Sequence, residues 1–190
     1  SSFSMTEPHV AGSDPTLIRT RAVRDGEHWV LNGHKWFASN AAGADFVIVM
    51  AVTDPDAAPH RRAAMIVVER GTPGMKIVRN VPTMSHPYPR ANAPKGRVGV
   101  HAEILFEDCR VPLDHMIGRP GEGFILAQKR LGGGRIHHAM RMIGQAKLAF
   151  DMLCERAKSR ESHGALLSQH QMVQDFVAES AIDIETARLL

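Results

Sequence analysis

From residue 17 onward the chain alternates short apolar runs with polar breaks, and the period of that pattern changes near residue 111. Leu17 to Val23 and His28 to Leu31 read as strands separated by the turn Arg24-Asp25-Gly26-Glu27, because Asp-Gly between apolar runs favours a hairpin. Asn32-Gly33 is a second hairpin signal of the same kind. Asp45 to Val52 and Ala63 to Glu69 are short runs rich in Val and Ile, the pattern of strands covered on both faces. Between them, Asp54 to Arg62 is polar and carries prolines, so it reads as a loop. Met75 to Arg79 and Val98 to Phe106 complete about six strands, enough for a compact antiparallel β-barrel or sandwich. Pro82 to Gly96 holds four prolines and the only tyrosine, Tyr88, and reads as an exposed excursion.

Past Val111-Pro112 the spacing becomes helical. Glu122 to Leu131 predicts a short helix, and Ile136 to Lys158 a longer one with Ile136, Met140, Ile143, Ala146, Phe150 and Leu153 on one stripe. Ser168 with Gln171 has the capping-box spacing, and Met172, Phe176, Val177, Ala181, Ile184 and Ala187 follow on one face. Two long amphipathic helices joined by a short polar link predict an antiparallel hairpin, half of a four-helix bundle. The fold class is therefore α+β, with a β-domain over 1–115 and the beginning of a helical domain over 116–190. The helical pattern runs to Leu190 without a cap, so the expectation is a subunit cut short.

Composition narrows the field by exclusion. A chain of 190 residues that is 44% hydrophobic can bury a sizeable core. Lys and Arg exceed Asp and Glu by 23 to 20, and a net charge of +3 gives no reason to expect a nucleic-acid partner. No apolar run approaches the roughly 20 residues of a bilayer span, and no signal-peptide series is present, so a soluble protein is expected. Cys109 and Cys154 fit no metal spacing and read as buried thiols in a reducing compartment. His137 and His138 are adjacent and point about 100° apart on a helix, so no metal is assigned to them.

The candidate chemistry begins in the segment Phe3 to Asp14. Thr6, Pro8, Gly12 and Ser13 lie within eight residues, in a loop able to turn N–H groups and hydroxyls toward a polar ring edge or a phosphate. Composition alone suits an ordinary surface turn as well. Three further segments follow: Asn32-Gly-His-Lys-Trp-Phe-Ala-Ser39, Gly132-Gly-Gly-Arg-Ile-His-His-Ala to Ala146, and Arg160 to Gly164 with His170-Gln171. Together with Met5-Thr-Glu-Pro8 and Gly12-Ser-Asp14, and in this order across nearly the whole chain, they resemble the signature segments of the acyl-CoA dehydrogenase family. The Gly-Arg-Ile-His-His run is similar to that of a subgroup sometimes fused to kinase-like domains.

The resemblance implies a middle β-domain, the start of a C-terminal helical bundle, and FAD as cofactor. It places Phe3, Met5 and Thr6 at the flavin, with the Thr6 hydroxyl and the N–H groups of Met5 and Thr6 toward the ring's pyrimidine edge. Gly12 and Ser13 would meet a phosphate or the pantetheine of CoA, although His9, Val10 and Ala11 make three residues between Pro8 and Gly12 where the family has two. Phe37 takes the stacking place against the flavin, with Ala38 and Ser39 completing that segment, while Trp36 reads as core. Arg135 is assigned to the CoA moiety. Arg160 and Ser162 would reach the flavin pyrophosphate of the neighbouring subunit, with Gln171 close by, and His163 stands where Phe is common. The position just before Arg135 supplies the catalytic carboxylate in some members. Here it is Gly134, so no catalytic residue is assigned and the base is expected beyond Leu190. The implied activity is FAD-dependent α,β-dehydrogenation of an acyl-CoA thioester, with electrons passed to an electron-transfer flavoprotein, by a homodimer or homotetramer. Its implied location is the cytoplasm, or in a eukaryote the mitochondrial matrix or peroxisome. An acyl-CoA oxidase or flavin monooxygenase on the same fold, and a non-catalytic subunit that binds flavin or acyl-CoA, are the alternatives.

Overall fold

A computed structural model describes residues 1–84 and 101–190. The first part of the chain forms β1 (Ser2–Ser4), β2 (Arg21–Asp25), β3 (His28–Ser39), β4 (Phe46–Val52), β5 (Ala63–Glu69), β6 (Met75–Val81), β7 (His101–Pro112) and β8 (Met116–Ile117). Helix α1 (Gly123–Ser159), the short strands β9 (Glu161–Ser162) and β10 (Ala165–Leu166), and helix α2 (Gln171–Leu189) follow. The architecture is α+β. Its main sheet has eight strands in the order β6-β7-β3-β2-β4-β5-β8, with β1 added parallel to β4. Among the described residues this mostly antiparallel path stays open, and no pairing closes it into a barrel.

The β2–β3 hairpin forms where the Asp-Gly signal predicts it, with Gly26 at φ +60 in a two-residue loop between Asp25 and His28. Leu17 is not yet in that strand. It ends a one-turn 3-10 helix, Pro15–Leu17, capped by Asp14, whose carboxylate accepts from the Thr16 N–H at 2.9 Å. The second hairpin signal is overturned. β3 runs straight through Asn32-Gly33, because the Asn32 side chain is taken up by Asp108 on β7, donating to its carboxylate (3.1 Å) and accepting from its N–H (2.9 Å). The pair marks a β-bulge, with Asp108 at φ +47 and the register shifting between Leu31 and Gly33.

Val47, Val49, Ile66, Val68, Leu31, Ile104 and Phe106 fill the larger core cluster. Met50 and Met65 anchor a second one, with Phe3, Met5, Ile18 and Ala127 around them. Val49 and Met50 are consecutive and belong to different clusters, so β4 is covered on both faces, as its unbroken apolar run predicts. β7 extends well past Phe106 to Pro112. The Pro82 to Gly96 excursion and the start of the Val98 to Phe106 strand lie, from residue 85 to residue 100, outside the described residues.

Contacts divide the chain into two units, Ser1–Gln128 and Lys129–Leu190. The first turn of α1 belongs to the first unit. A Cβ at Gly123 would come within 2.7 Å of Met50 Sδ and 2.8 Å of the Ala63 carbonyl, so this turn approaches the sheet as only glycine can. The whole helix runs unbroken for 37 residues, through the three glycines Gly132 to Gly134 where the sequence predicts a stop. Each glycine costs about 1 kcal/mol relative to alanine, but none leaves the right-handed helical region, and a helix nucleated on both sides propagates through them.

In the second unit α1 and α2 meet around a cavity of about 310 Å³ lined by Cys154, Ala157, Lys158, Val173, Gln174 and Val177. Away from it many apolar side chains face outward, on and off the predicted stripes: Ile136, Met140, Met142, Leu148 and Met152 on α1, and Met172, Phe176 and Ile182 on α2, are exposed. The predicted Ser168–Gln171 capping box does not form. Ser168 lies in a 3-10 turn, Leu167–Gln169, where its carbonyl accepts from Gln174 Nε2 (2.9 Å), and Gln169 rather than Gln171 reaches back, to the Leu166 N–H (3.0 Å). Among the described residues no helix is long and apolar enough to cross a membrane.

Candidate functional site

The end of β3 and the loop after β1 are clasped together. The Thr6 hydroxyl donates to the Trp36 carbonyl (2.8 Å), and the Trp36 N–H donates back to the Thr6 carbonyl (3.1 Å). Beneath this clasp lies a buried ion pair. Lys35 is fully buried, and its ammonium donates to the Met5 carbonyl (2.8 Å) and to Glu7 Oε1 (2.9 Å). The same carboxylate oxygen accepts from the Thr20 N–H (2.8 Å) and hydroxyl (2.6 Å), and Oε2 accepts from the Arg19 N–H (2.8 Å). Burial pushes the Lys35 ammonium down to about 8, partly offset by Glu7. Burial also pushes the Glu7 carboxyl up, but Lys35 and the Thr20 hydrogen bonds outweigh it and leave Glu7 below the usual carboxylate value.

Just past the clasp β3 bulges again, with Trp36 and Phe37 opposite the single residue Glu103. Phe37 adopts φ +51, a conformation that costs a side-chain-bearing residue energy and gathers at functional positions. Its ring is 40% exposed and is met edge-on by Trp36, with centroids 4.8 Å apart, and by His101 at 6.0 Å. His101 Nδ1 lies 2.8 Å from Ser39 Oγ across the β3–β7 pair. Ala38 is fully buried and contributes only backbone. The Phe3 and Met5 side chains pack into the methionine-anchored core cluster, so what the site receives from them is also backbone. Gly12 lies beside Thr6, where a Cβ would come within 3.3 Å of the threonine methyl, and Ser13 is exposed next to it. Nearby, His34 and Arg79 hold the Glu103 carboxylate at 2.7 and 2.6 Å, and His9 stacks edge-on against His34.

The structure therefore brings Met5, Thr6, Phe37 and Ser39 to one place on the sheet, with Gly12 and Ser13 bordering Thr6. In the second unit it gathers Arg160, Ser162 and Gln171 at the link between the helices. There His163 (φ +52) and Gly164 (φ +76) turn β9 into β10. His170 Nε2 donates to the Ser162 carbonyl (3.1 Å) and the Leu167 N–H to the Arg160 carbonyl (2.8 Å). Arg135 is not in that group. It lies on α1, roughly 37 Å along the axis from Arg160 at about 1.5 Å per residue. The sequence reading missed Lys35, Glu7, Thr20 and His101. A signal existed for the first: Leu31, Gly33 and Lys35 alternate on one face, and a lysine on the inward face of a strand requires a buried partner.

The comparisons with known proteins agree at both ends of the chain. The model of the acyl-CoA dehydrogenase middle domain matches residues 2–93, and that of the C-terminal domain matches residues 121–190. A Mycobacterium tuberculosis protein named probable acyl-CoA dehydrogenase FadE2 is 43% identical over 192 residues, covering 100% of this chain and 45% of its own length. Chicken (Gallus gallus) acyl-CoA dehydrogenase family member 11 is 42% identical over 193 residues, covering 100% of this chain and 24% of its own length. The crystal structure of an acyl-CoA dehydrogenase from Geobacillus kaustophilus superposes with a TM-score of 0.79 at 34% identity, covering 99% of this chain and 47% of that one. The chain thus spans less than half the length of the relatives it matches. With domain models matching on either side of residue 100 and relatives above 40% identity across all of it, the chain belongs to the acyl-CoA dehydrogenase family.

Proposed function

We propose that the complete protein is an FAD-dependent acyl-CoA dehydrogenase that desaturates a thioester between Cα and Cβ and passes the electrons to an electron-transfer flavoprotein. The observation that carries this reading is Phe37, an exposed aromatic ring held at a positive φ on a bulge, braced by Trp36 and His101 beside a hydroxyl, Ser39. The set suits a flavin. A flat ring is offered for stacking. Among the described residues the Thr6 N–H makes no hydrogen bond, leaving a donor for the ring's polar edge. The Thr6 hydroxyl proton is committed to Trp36, so toward a ligand that oxygen can only accept.

In this reading Phe37 shields one face of the cofactor from water, and Met5, Thr6, Ala38 and Ser39 present backbone and hydroxyl groups along its edge. Gly12 and Ser13 contact phosphate or pantetheine, and Arg135 contacts CoA through a guanidinium suited to phosphate. Arg160, Ser162 and Gln171 serve the flavin pyrophosphate of a neighbouring subunit in a homodimer or homotetramer. The cofactor, when bound, accepts the β-hydride while a carboxylate takes the α-proton. Gly134 has no side chain to act as that base, and we place it beyond Leu190.

The test uses the longest natural reading frame containing these residues. It should purify with FAD, and an anaerobic panel of acyl-CoA thioesters should bleach its oxidised absorbance without producing hydrogen peroxide when air is admitted. Phe37→Ala should weaken FAD binding and alter the visible spectrum; Trp36, expected in the core, is instead half-buried outside both core clusters and braces Phe37, so Trp36→Ala should lower stability by only about 1–3 kcal/mol. A protein that carries FAD but is bleached by no acyl-CoA would be a non-catalytic binder, and peroxide released at the turnover rate would make it an oxidase. Either result sinks the proposal.

A further inference from the structure

We propose that the buried Lys35–Glu7 pair is a positioning device that aims the Thr6 N–H outward as a donor to the cofactor, an inference that rests on the flavin reading above. The Met5 carbonyl and the Thr6 N–H belong to the same peptide unit, and among the described residues no peptide bond is cis, so the two groups point in opposite directions. Lys35, wholly buried under the loop, draws the Met5 carbonyl inward at 2.8 Å. The Thr6 N–H must then face away from the core. The other two polar groups of Thr6 are already taken by Trp36, which fixes the residue on both sides of that N–H.

Glu7 makes the arrangement one-way. A lysine without a counter-ion in this position would lose its charge or leave, and the carboxylate at 2.9 Å prevents both. Glu7 is itself held by two backbone N–H groups and one hydroxyl from residues 19 and 20, so the ammonium has a fixed seat rather than a flexible partner. An apolar pair of similar volume could fill the same space in the core at no loss of packing. It could not pull on a carbonyl. The burial of two charges directly behind the loop is thus explained by orientation of the backbone.

The variant that tests this is Glu7→Gln/Lys35→Met in the complete chain. It removes both charges together, fills the lysine's place with an apolar chain, and keeps an acceptor for Thr20. Folding is read from the unfolding midpoint. Positioning is read from FAD affinity, the visible spectrum of bound FAD and its midpoint potential, none of which a merely structural role would change in a folded variant. A folded double variant should bind FAD about tenfold more weakly, the worth of one directed hydrogen bond, and its flavin should be harder to reduce. Wild-type affinity and potential in that variant overturn the proposal. A second measurement needs no variant. In wild-type protein the Thr6 amide should become protected from hydrogen exchange when FAD is added to the apoprotein, and equal exchange with and without FAD also overturns it. If wild-type protein binds no FAD at all, the functional reading fails, an outcome distinct from FAD binding that is indifferent to Lys35.

Discussion

Replacing Gly33 by alanine should be among the most destabilising single-methyl additions in the β-domain. A Cβ at this position would overlap Thr20 Oγ1 outright and lie 2.6 Å from both Thr20 Cβ and Cγ2. Thr20 cannot swing aside, since it is buried and its N–H and hydroxyl are both bound to Glu7 Oε1. β3 and the segment entering β2 must separate by roughly 1 Å to restore ordinary contact. Overpacking of this kind costs about 1–3 kcal/mol, and losing hydrogen bonds to the buried carboxylate adds about 1.5–3 kcal/mol. The smaller entropy of the unfolded alanine chain returns about 0.4–1 kcal/mol. The net loss is about 2–5 kcal/mol. Urea unfolding followed by tryptophan fluorescence reads it directly, because both tryptophans of the chain, Trp29 and Trp36, lie on the strand that carries Gly33. Gly43→Ala is the control, having no atom within 4 Å of the added carbon. A Gly33→Ala loss no greater than that of Gly43→Ala would show that β3 and Thr20 are not packed as described.

Three other outcomes can be checked as simply. Burial pushes the Cys109 thiol up to about 11, so a thiol reagent followed by mass spectrometry should modify Cys154 in the folded chain and reach Cys109 only on unfolding; equal labelling would contradict its burial. Glu7 lies below its ordinary value near 4.5, so its contribution to stability is complete above that pH and is lost as the pH falls through the lower folded value. Glu7→Gln should therefore lose less stability than the parent between pH 5 and pH 3, and an unchanged acid profile would remove Glu7 from the account. If Arg160 serves the flavin of a neighbouring subunit, mixing Arg160→Ala and Thr6→Ala subunits under verified exchange should restore FAD binding in part. No gain over the separate variants would place Arg160 elsewhere.

How far the sequence could be read depended on where each residue finds its partner. β4 and β5 were legible because both faces of β4 are covered and β5 joins the same core clusters, so the signal is a local run of Val, Ile and Met. Asn32-Gly33 misled for the opposite reason. Its local chemistry is that of a hairpin turn, and what makes it a bulge is Asp108, 76 positions away. The three glycines of α1 likewise carry a genuine local cost that the helix on either side overrides. At the site, Thr6, Phe37 and Ser39 could be picked out through the motifs they stand in. The pair beneath them was legible only by half: an inward-facing Lys35 requires a buried partner, but nothing local says that the partner is Glu7, 28 positions away. The positive φ of Phe37 was equally invisible, because it arises from the register between β3 and β7 and from no preference of phenylalanine.

The exposed apolar side chains of α1 and α2 have a practical use that follows from their thioethers. Met140, Met142, Met152 and Met172 are each more than half exposed, whereas Met50 and Met65 are at most 5% exposed. Mild peroxide converts accessible methionines to sulfoxides first, so oxidation of the chain separates into a fast helical set and a slow core set. The slow set is an internal standard carried by the same molecule. Anything that covers the helices, whether further chain, a second copy or another protein, is thereby footprinted residue by residue through the methionines it protects.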